Sequence, residues 1–153
     1  MFRIHFYRIR YIFLLVSIFL CIPPAWAGSE FVAVLEFQGN AEDQILMQLS
    51  DEARGGIREG LPRQKYSIST RENIRQILED QGKSLADCST ECEITLGRDV
   101  GADYVLSGGL FVIEGVYVLT IKLHDTHTGS LLAQKRIQEK SIITLLEEAH
   151  STA

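Results

Sequence analysis

CSTECEITLGRDVGADYVLSGGLF, from Cys88 to Phe111, is the stretch in which the chain changes period. Before it, apolar residues recur at the spacings of helices and short strands. From Tyr104 onward they alternate with polar ones at every second position, the signature of strands with one buried face. The stretch carries two cysteines, a short helix expected to begin near Glu93, the triplet Gly101-Ala102-Asp103, and the first strand of a three-strand meander. Gly108-Gly109 within that strand points to a bulge or a close backbone contact.

Working upstream, Arg71 to Gln81 reads as a helix with Ile74, Ile77 and Leu78 on one stripe and Ser69 or Thr70 as its cap. Gly82 ends it as a left-handed residue past a helix end. Tyr66 to Ser69 is a short strand. The helix before that runs from Asp43, its expected cap, to about Leu61. Leu46, Leu49, Ala53, Ile57 and Leu61 share one face, with Asp51, Glu52, Arg54, Arg58 and Glu59 mostly outside it. Gly55-Gly56 costs that helix roughly 1 kcal/mol per glycine, so the pair is read as a point of close approach to a sheet. Phe31 to Phe37, FVAVLEF, is a strand apolar on both faces, broken by Gln38-Gly39-Asn40. Strand, helix, strand, helix favours parallel pairing.

Downstream, Tyr104 to Ile113 and Val116 to Leu123 form a hairpin about Glu114-Gly115. In the return strand Tyr117, Leu119, Ile121 and Leu123 point one way, and Val116, Val118, Thr120 and Lys122 the other. Asp125 to Gly129, DTHTG, is a second hairpin loop, and Leu131 to Glu139 the third strand. Gln134, Arg136 and Gln138 on one of its faces and Lys135 on the other suit an edge strand with solvent access. Ser141 caps a closing helix through about His150, with Leu145 and Leu146 inward. The expected fold class is α/β: a mixed sheet, β-α-β-α-β-β-β-α, covered by helices.

Residues 1–27 are expected to be a cleaved secretory signal peptide. Arg3, Arg8 and Arg10 precede an apolar run of eleven residues, Ile12 to Ile22; Pro23-Pro24 breaks the run. Ala25 and Ala27 supply the small residues of a cleavage site between Ala27 and Gly28. The run falls short of the ~20 apolar residues that cross a bilayer. An uncleaved anchor is therefore the weaker alternative, and no stable membrane insertion is expected after cleavage. Cys21 follows Phe19-Leu20 rather than a small residue, which fits acylation poorly. Residues 28–153 then form a single domain, exported to the periplasm or associated with the outer membrane, and long enough to bury a core unaided.

The chain holds fifteen Lys and Arg against twenty Asp and Glu, and three of the basic residues lie in the signal. Twelve against twenty leaves residues 28–153 with a net charge near −8. Phosphate backbones select basic patches, so nucleic acid is not the expected partner, nor is an anionic membrane surface. Cys88 and Cys92 are an even count, which in an exported protein reads as one disulfide. C-x-x-x-C closes a small loop, so its work is to fix the turn before the helix. A redox site wants C-x-x-C, and a zinc site wants two more ligands.

No catalytic set is visible, and no cofactor or metal is expected. His124, Asp125 and His127 form the densest polar cluster, and imidazole with carboxylate suits zinc. Yet Asp, Thr and Gly at these spacings are what the turn requires for its own backbone bonding. Gly82-Lys83-Ser84 lacks the earlier glycine and the preceding strand of a phosphate loop. Ser107 has no spaced base. Asp99 and Asp103, the carboxylate pair that acid–base work would suggest, read as a solvated helix residue and a strand start.

Taken in order, FVAVLEFQG, EARGGIREGL, TRENIRQILEDQG, the C-x-x-x-C segment, GADYVLSGGL and DTHTGSLLA resemble an exported bacterial domain family over nearly all of residues 30–150. It is the domain shared by the amino-terminal part of the TolB translocation protein, the penicillin-binding-protein activator LpoB and the curli secretion lipoprotein CsgG. The resemblance implies an α/β sandwich used in the envelope for protein–protein contact. The chain departs from the CsgG proteins, having no lipobox and no room for barrel-forming segments. It carries no propeller, so a full TolB role is not expected, and it is read as a minimal or truncated form.

The expected function is therefore a non-enzymatic adaptor or assembly protein whose partners are envelope proteins. The partner would dock on the helix-free face of the sheet or add a strand to the edge at Leu131, Ala133, Lys135, Arg136 and Ile137. The alternative is a sensor of small molecules or polysaccharide, with a pocket near Gly108-Gly109 lined by Tyr104 and Tyr117.

Overall fold

A computed structural model describes residues 28–83 and 90–153, with the side chains of residues 90 and 91 left aside. Residues 1–27 and Cys88 lie outside the described residues, as does the expected cleavage residue Ala27. The elements are β1 (Glu30–Val34), β2 (Gln38–Gly39), α1 (Asp43–Gly60), β3 (Tyr66–Ile68), α2 (Arg71–Asp80), α3 (Thr90–Asp99), β4 (Tyr104–Ile113), β5 (Val116–Asp125), β6 (Leu131–Glu139) and α4 (Ile142–Thr152). They form one mixed sheet in the order β3-β1-β4-β5-β6. β1 runs parallel to both β3 and β4, and β4, β5 and β6 are the antiparallel meander. The expected α/β fold class is the one observed.

Gln38-Gly39 does not end the first strand as expected. These two residues pair in parallel with Gly109 and Leu110 of β4, continuing the line of β1. Val34 pairs with Leu106 and Gln38 with Gly109, so four steps along β1–β2 match three along β4. One residue is therefore extra, a bulge. Gly108 explains where its bulk goes: a Cβ there would lie 2.6 Å from the Phe37 ring. The close approach read from Gly108-Gly109 is real, and the bulge sits on the neighbouring strand.

The helices divide between the faces. On one face Leu46, Leu49, Ala53 and Ile57 of α1 and Leu145 and Ala149 of α4 pack on Val34, Leu106, Leu110, Leu119, Ile121 and Ile137, which reach from β1 to β6. On the other face Ile74 and Leu78 of α2 and Leu96 and Val100 of α3 pack on Ala33, Leu35 and Val105. That second core stops at β4. The strand alternation sends Val118, Thr120 and Lys122 of β5 to the side that α2 and α3 leave uncovered; all three are partly exposed.

Local chemistry sets the boundaries. The Thr70 hydroxyl accepts from the Asn73 N–H at 3.2 Å and caps α2, as expected. Glu114 and Gly115 have φ of 50° and 77°, the pair of left-handed residues a two-residue hairpin requires. At α1 the cap position is Glu42, not Asp43, and neither it nor Ser141 at α4 makes a side-chain cap bond. The Gly55-Gly56 pair receives a helix rather than the sheet. A Cβ on Gly56 would lie 1.9 Å from the His150 carbonyl oxygen, so α4 crosses α1 at backbone contact.

Candidate protein-docking edge

The corner formed by GADY and DTHTG is held by its own residues. The Asp103 carboxylate accepts from the Phe31 N–H at 2.7 Å, and the Asp103 N–H donates to the Phe31 carbonyl at 2.8 Å. This ties the start of β4 to the start of β1. The Phe31 N–H and then His127, 2.9 Å away, hold the Asp103 carboxyl below its ordinary range. Asp125 accepts from the Thr128 N–H at 2.8 Å, the turn chemistry expected of it, and that bond keeps its carboxyl low. Thr126 is buried and donates to the Asp103 carbonyl at 3.0 Å. Arg98 of α3 donates to the Thr126 carbonyl. His124 is buried opposite Val105, and desolvation lowers its pKa. Among the described residues no three His, Cys, Asp or Glu side chains group as metal ligands.

The other weighed residues are likewise engaged. Ser107 is buried and donates to Glu93 Oε2 at 2.8 Å. Asp99 is not a freely solvated carboxylate, since it pairs with Lys83. Arg54 departs most from expectation: it was placed outside the buried face, yet it is 5% exposed. Its Nη2 donates to the Val34 carbonyl at 2.9 Å and its Nη1 to Asp51. Asp51 also pairs with Arg71 at 2.6 Å, and Arg71 donates to the Met47 carbonyl at 2.8 Å. Burial lowers the Arg54 pKa. Ser50 completes the set by accepting from the Phe37 N–H at 2.8 Å. Together these groups satisfy the backbone of the bulge at the end of β1, a need that no local sequence pattern advertises.

What remains open is β6. It is the outer strand of the meander, nine residues long, with six exposed residues in succession from Leu131 to Arg136. Of the expected edge residues, Leu131, Ala133, Lys135 and Arg136 are exposed, while Ile137 turns its side chain into the core and offers the edge only its backbone. The opposite edge, β3, has three residues. A strand of that length holds little of an added partner. Four of the six exposed large apolar residues, Phe111, Ile113, Leu131 and Leu132, belong to β4 and β6. Leu131 and Leu132 lie on this edge, whereas Phe111 and Ile113 lie on the inner strand β4 at the other end of the sheet, opposite Val118 and Val116.

The pocket expected between Tyr104 and Tyr117 is not formed, because the Phe37 ring fills the space at Gly108. Tyr104 lies opposite Asp125 and Tyr117 opposite Val112, eight residues along β4, or about 27 Å at strand rise. Tyr104 instead meets Tyr66, ring centroids 6.4 Å apart. The two line an apolar cleft of about 240 Å³ with Leu61, Leu106, Leu123 and Leu132. Tyr66 could not have been assigned to it from sequence, since only the parallel β3–β1 pairing brings it there.

These features define a class of fold: an α/β sandwich in which parallel strands run into an antiparallel meander that ends on one long open edge. No protein-family model matches the chain, and no curated protein matches it. Among solved structures, lipoprotein GNA1162 from Neisseria meningitidis matches with a TM-score of 0.57 at 12% identity, over 78% of this chain and 91% of that one. The C-terminal domain of LpoB from Escherichia coli matches at 0.49 and 18% identity, over 83% and 93%. TolB from Acinetobacter baumannii matches at 0.47 and 10% identity, with 80% of this chain on 26% of TolB. The likeness to LpoB and TolB implied by the sequence phrases is thus found among structures. The match to GNA1162 shows the fold alone. Among the described residues, no helix is long and apolar enough to cross a membrane.

Proposed function

We propose that this chain is a non-enzymatic adaptor of the bacterial envelope that binds a partner protein by adding the partner's extended segment to β6. The observation that carries this reading is the contrast between the two sheet edges: nine residues at β6, seven of them exposed, against three at β3, one of them exposed. A long unpaired strand offers a row of N–H and C=O groups that strand addition satisfies. Of the groups weighed for catalysis, Asp103, Asp125 and His127 hold the corner, Ser107 bonds Glu93 and Asp99 pairs with Lys83, which turns attention to the edge.

Export after cleavage between Ala27 and Gly28 belongs to this reading, as does a Cys88–Cys92 disulfide; Cys92 packs against the second core. The intact mass of the secreted protein, with and without reductant and thiol label, checks both. The docking itself is tested by crosslinking from envelope extract with the unaltered protein and with Lys135→Pro and Arg136→Pro. Successive strand residues direct their N–H groups to opposite sides, so one of the two prolines spares the β5–β6 ladder. Loss of a crosslinked partner with the variant that keeps its native circular dichroism is the expected result. Retention of the partner by both folded variants would refute edge docking.

A further inference from the structure

The β6 edge is locally cationic within an acidic region. Residues 131–140 hold Lys135, Arg136 and Lys140 against Glu139, a local balance of +2 within a region, residues 28–153, whose balance is −8. Lys135 and Arg136 are both exposed and lie on opposite faces of the strand, opposite Ile121 and Thr120 of β5. A segment added to β6 therefore meets a cation above the sheet and a cation below it.

That pattern bears on what the segment can be. A full-length antiparallel pairing of two β6 strands is centred on Lys135 and sets that lysine against its own copy. Like charges directly opposite one another in a sheet are destabilising, so the edge disfavours a second copy of this chain in that register. It favours a segment with carboxylates at consecutive central positions.

The end of the same strand supplies a second feature. Register between β5 and β6 shifts at Leu123/His124, where Leu123 pairs with Ala133 and His124 with Leu131. Leu132 is the extra residue there. It is 52% exposed, yet it also lines the cleft of Tyr66, Tyr104, Leu106 and Leu123. One residue thus belongs to both the edge and an apolar hollow of about 240 Å³. Its tyrosines lie on β3 and β4, about 24 Å and about 14 Å from a strand added outside β6, so an added segment meets the hollow only at its Leu132 rim.

Resting on the docking reading above, we infer that the partner segment is an extended acidic strand that places carboxylates against Lys135 and Arg136 and packs one apolar side chain on Leu132. The edge supplies backbone bonds, the cations set charge selectivity, and the Leu132 contact fixes the register. The distance from Leu132 to Lys135 places the anchor about three residues from the acidic pair.

The test uses three synthetic ten-residue peptides: one with Val and Thr flanking a central Glu-Glu and a Phe three residues away, one with Lys-Lys for Glu-Glu, and one with Ala for Phe. Amide and leucine-methyl spectra of the purified protein are followed during titration. The acidic Phe peptide is expected to shift β6 amides and the Leu132 methyl signals. The Lys-Lys peptide should bind about three- to tenfold more weakly, and the doubly substituted Lys135→Glu, Arg136→Glu protein should reverse that order.

Equal binding of both charged peptides to β6 overturns the acidic segment while leaving edge docking intact. Equal binding of the Ala peptide, with the Leu132 methyl signals unmoved, overturns the anchor. Shifts confined to Phe111, Ile113 and Val118, on the uncovered face, overturn the docking edge itself. So does a β6 already protected at dilution by a second copy of the chain.

Discussion

The two halves of the sheet are built to different standards. In β3-β1-β4 the central strand is covered on both faces: Ala33 and Leu35 face one core, Val34 and Phe37 the other, and all are at most 2% exposed. In β5–β6 only one face is covered. Leu119 is fully buried, while its neighbour Val118 is partly exposed. Parallel strands require helical crossovers that cover both faces, whereas hairpins leave a face or an edge free. The doubly covered half supplies stability, and the half built from hairpins is left available for contact.

The largest effect that sharpens this comparison comes from neighbouring residues of β5. Leu119→Ala should cost about 2–5 kcal/mol by creating a cavity. Val118→Ala should stay within about 1 kcal/mol, as expected at a partly exposed site. Urea midpoints at constant slope measure both, and similar losses would mean that the second face of β5 is covered. Arg54→Ala comes next, at about 2–4 kcal/mol, because it unpairs the buried Val34 carbonyl and leaves Asp51 with Arg71 alone. Arg54→Lys should recover only part of this, since a point charge cannot bridge both acceptors. Removing the cap with Thr70→Ala should cost about 1 kcal/mol. A smaller loss there would show that α2 is held by packing alone.

The smallest effect concerns α4. His150 lies 3.2 Å from Glu52 and 3.3 Å from Glu59 of α1. Its pKa is raised, first by the bond to Glu59 and then by that to Glu52. A raised folded-state value means that protonated His150 favours the folded state. The contribution is full below the ordinary imidazole value of about 6.5 and is lost as pH rises through the folded value. The stability difference between the unaltered protein and His150→Gln should therefore shrink from pH 6 toward pH 8.5. A pH-independent difference would show that the contact is steric, through Gly56, rather than ionic.

Much of this architecture was readable before any coordinates. The bounds of β4 and β6 follow from alternation and from turn residues, because a strand with one buried face writes its period into the sequence. The inward row of Tyr117, Leu119, Ile121 and Leu123 has the same origin. Features that depend on tertiary contact were not readable. Gln38-Gly39 looks like a break because its pairing with Gly109 and Leu110 depends on a bulge set by Phe37. Arg54 looks like a surface cation because its acceptor is a carbonyl on another element. At the candidate edge, Lys135 and Arg136 were visible as polar strand residues. The cleft beside them was not, since Tyr66 and Tyr104 meet across β1.

The central claim is that β6 is an open edge in the free protein. Amide hydrogen exchange at dilute concentration, read residue by residue, tests it most directly. Within Leu131 to Glu139, amides should alternate between slow exchange, where they bond to β5, and exchange near the rate of an unstructured chain. Those of Val32 to Val34 should all be slow. Uniformly slow exchange along β6, persisting on further dilution, would mean that the edge is already covered and would contradict the account.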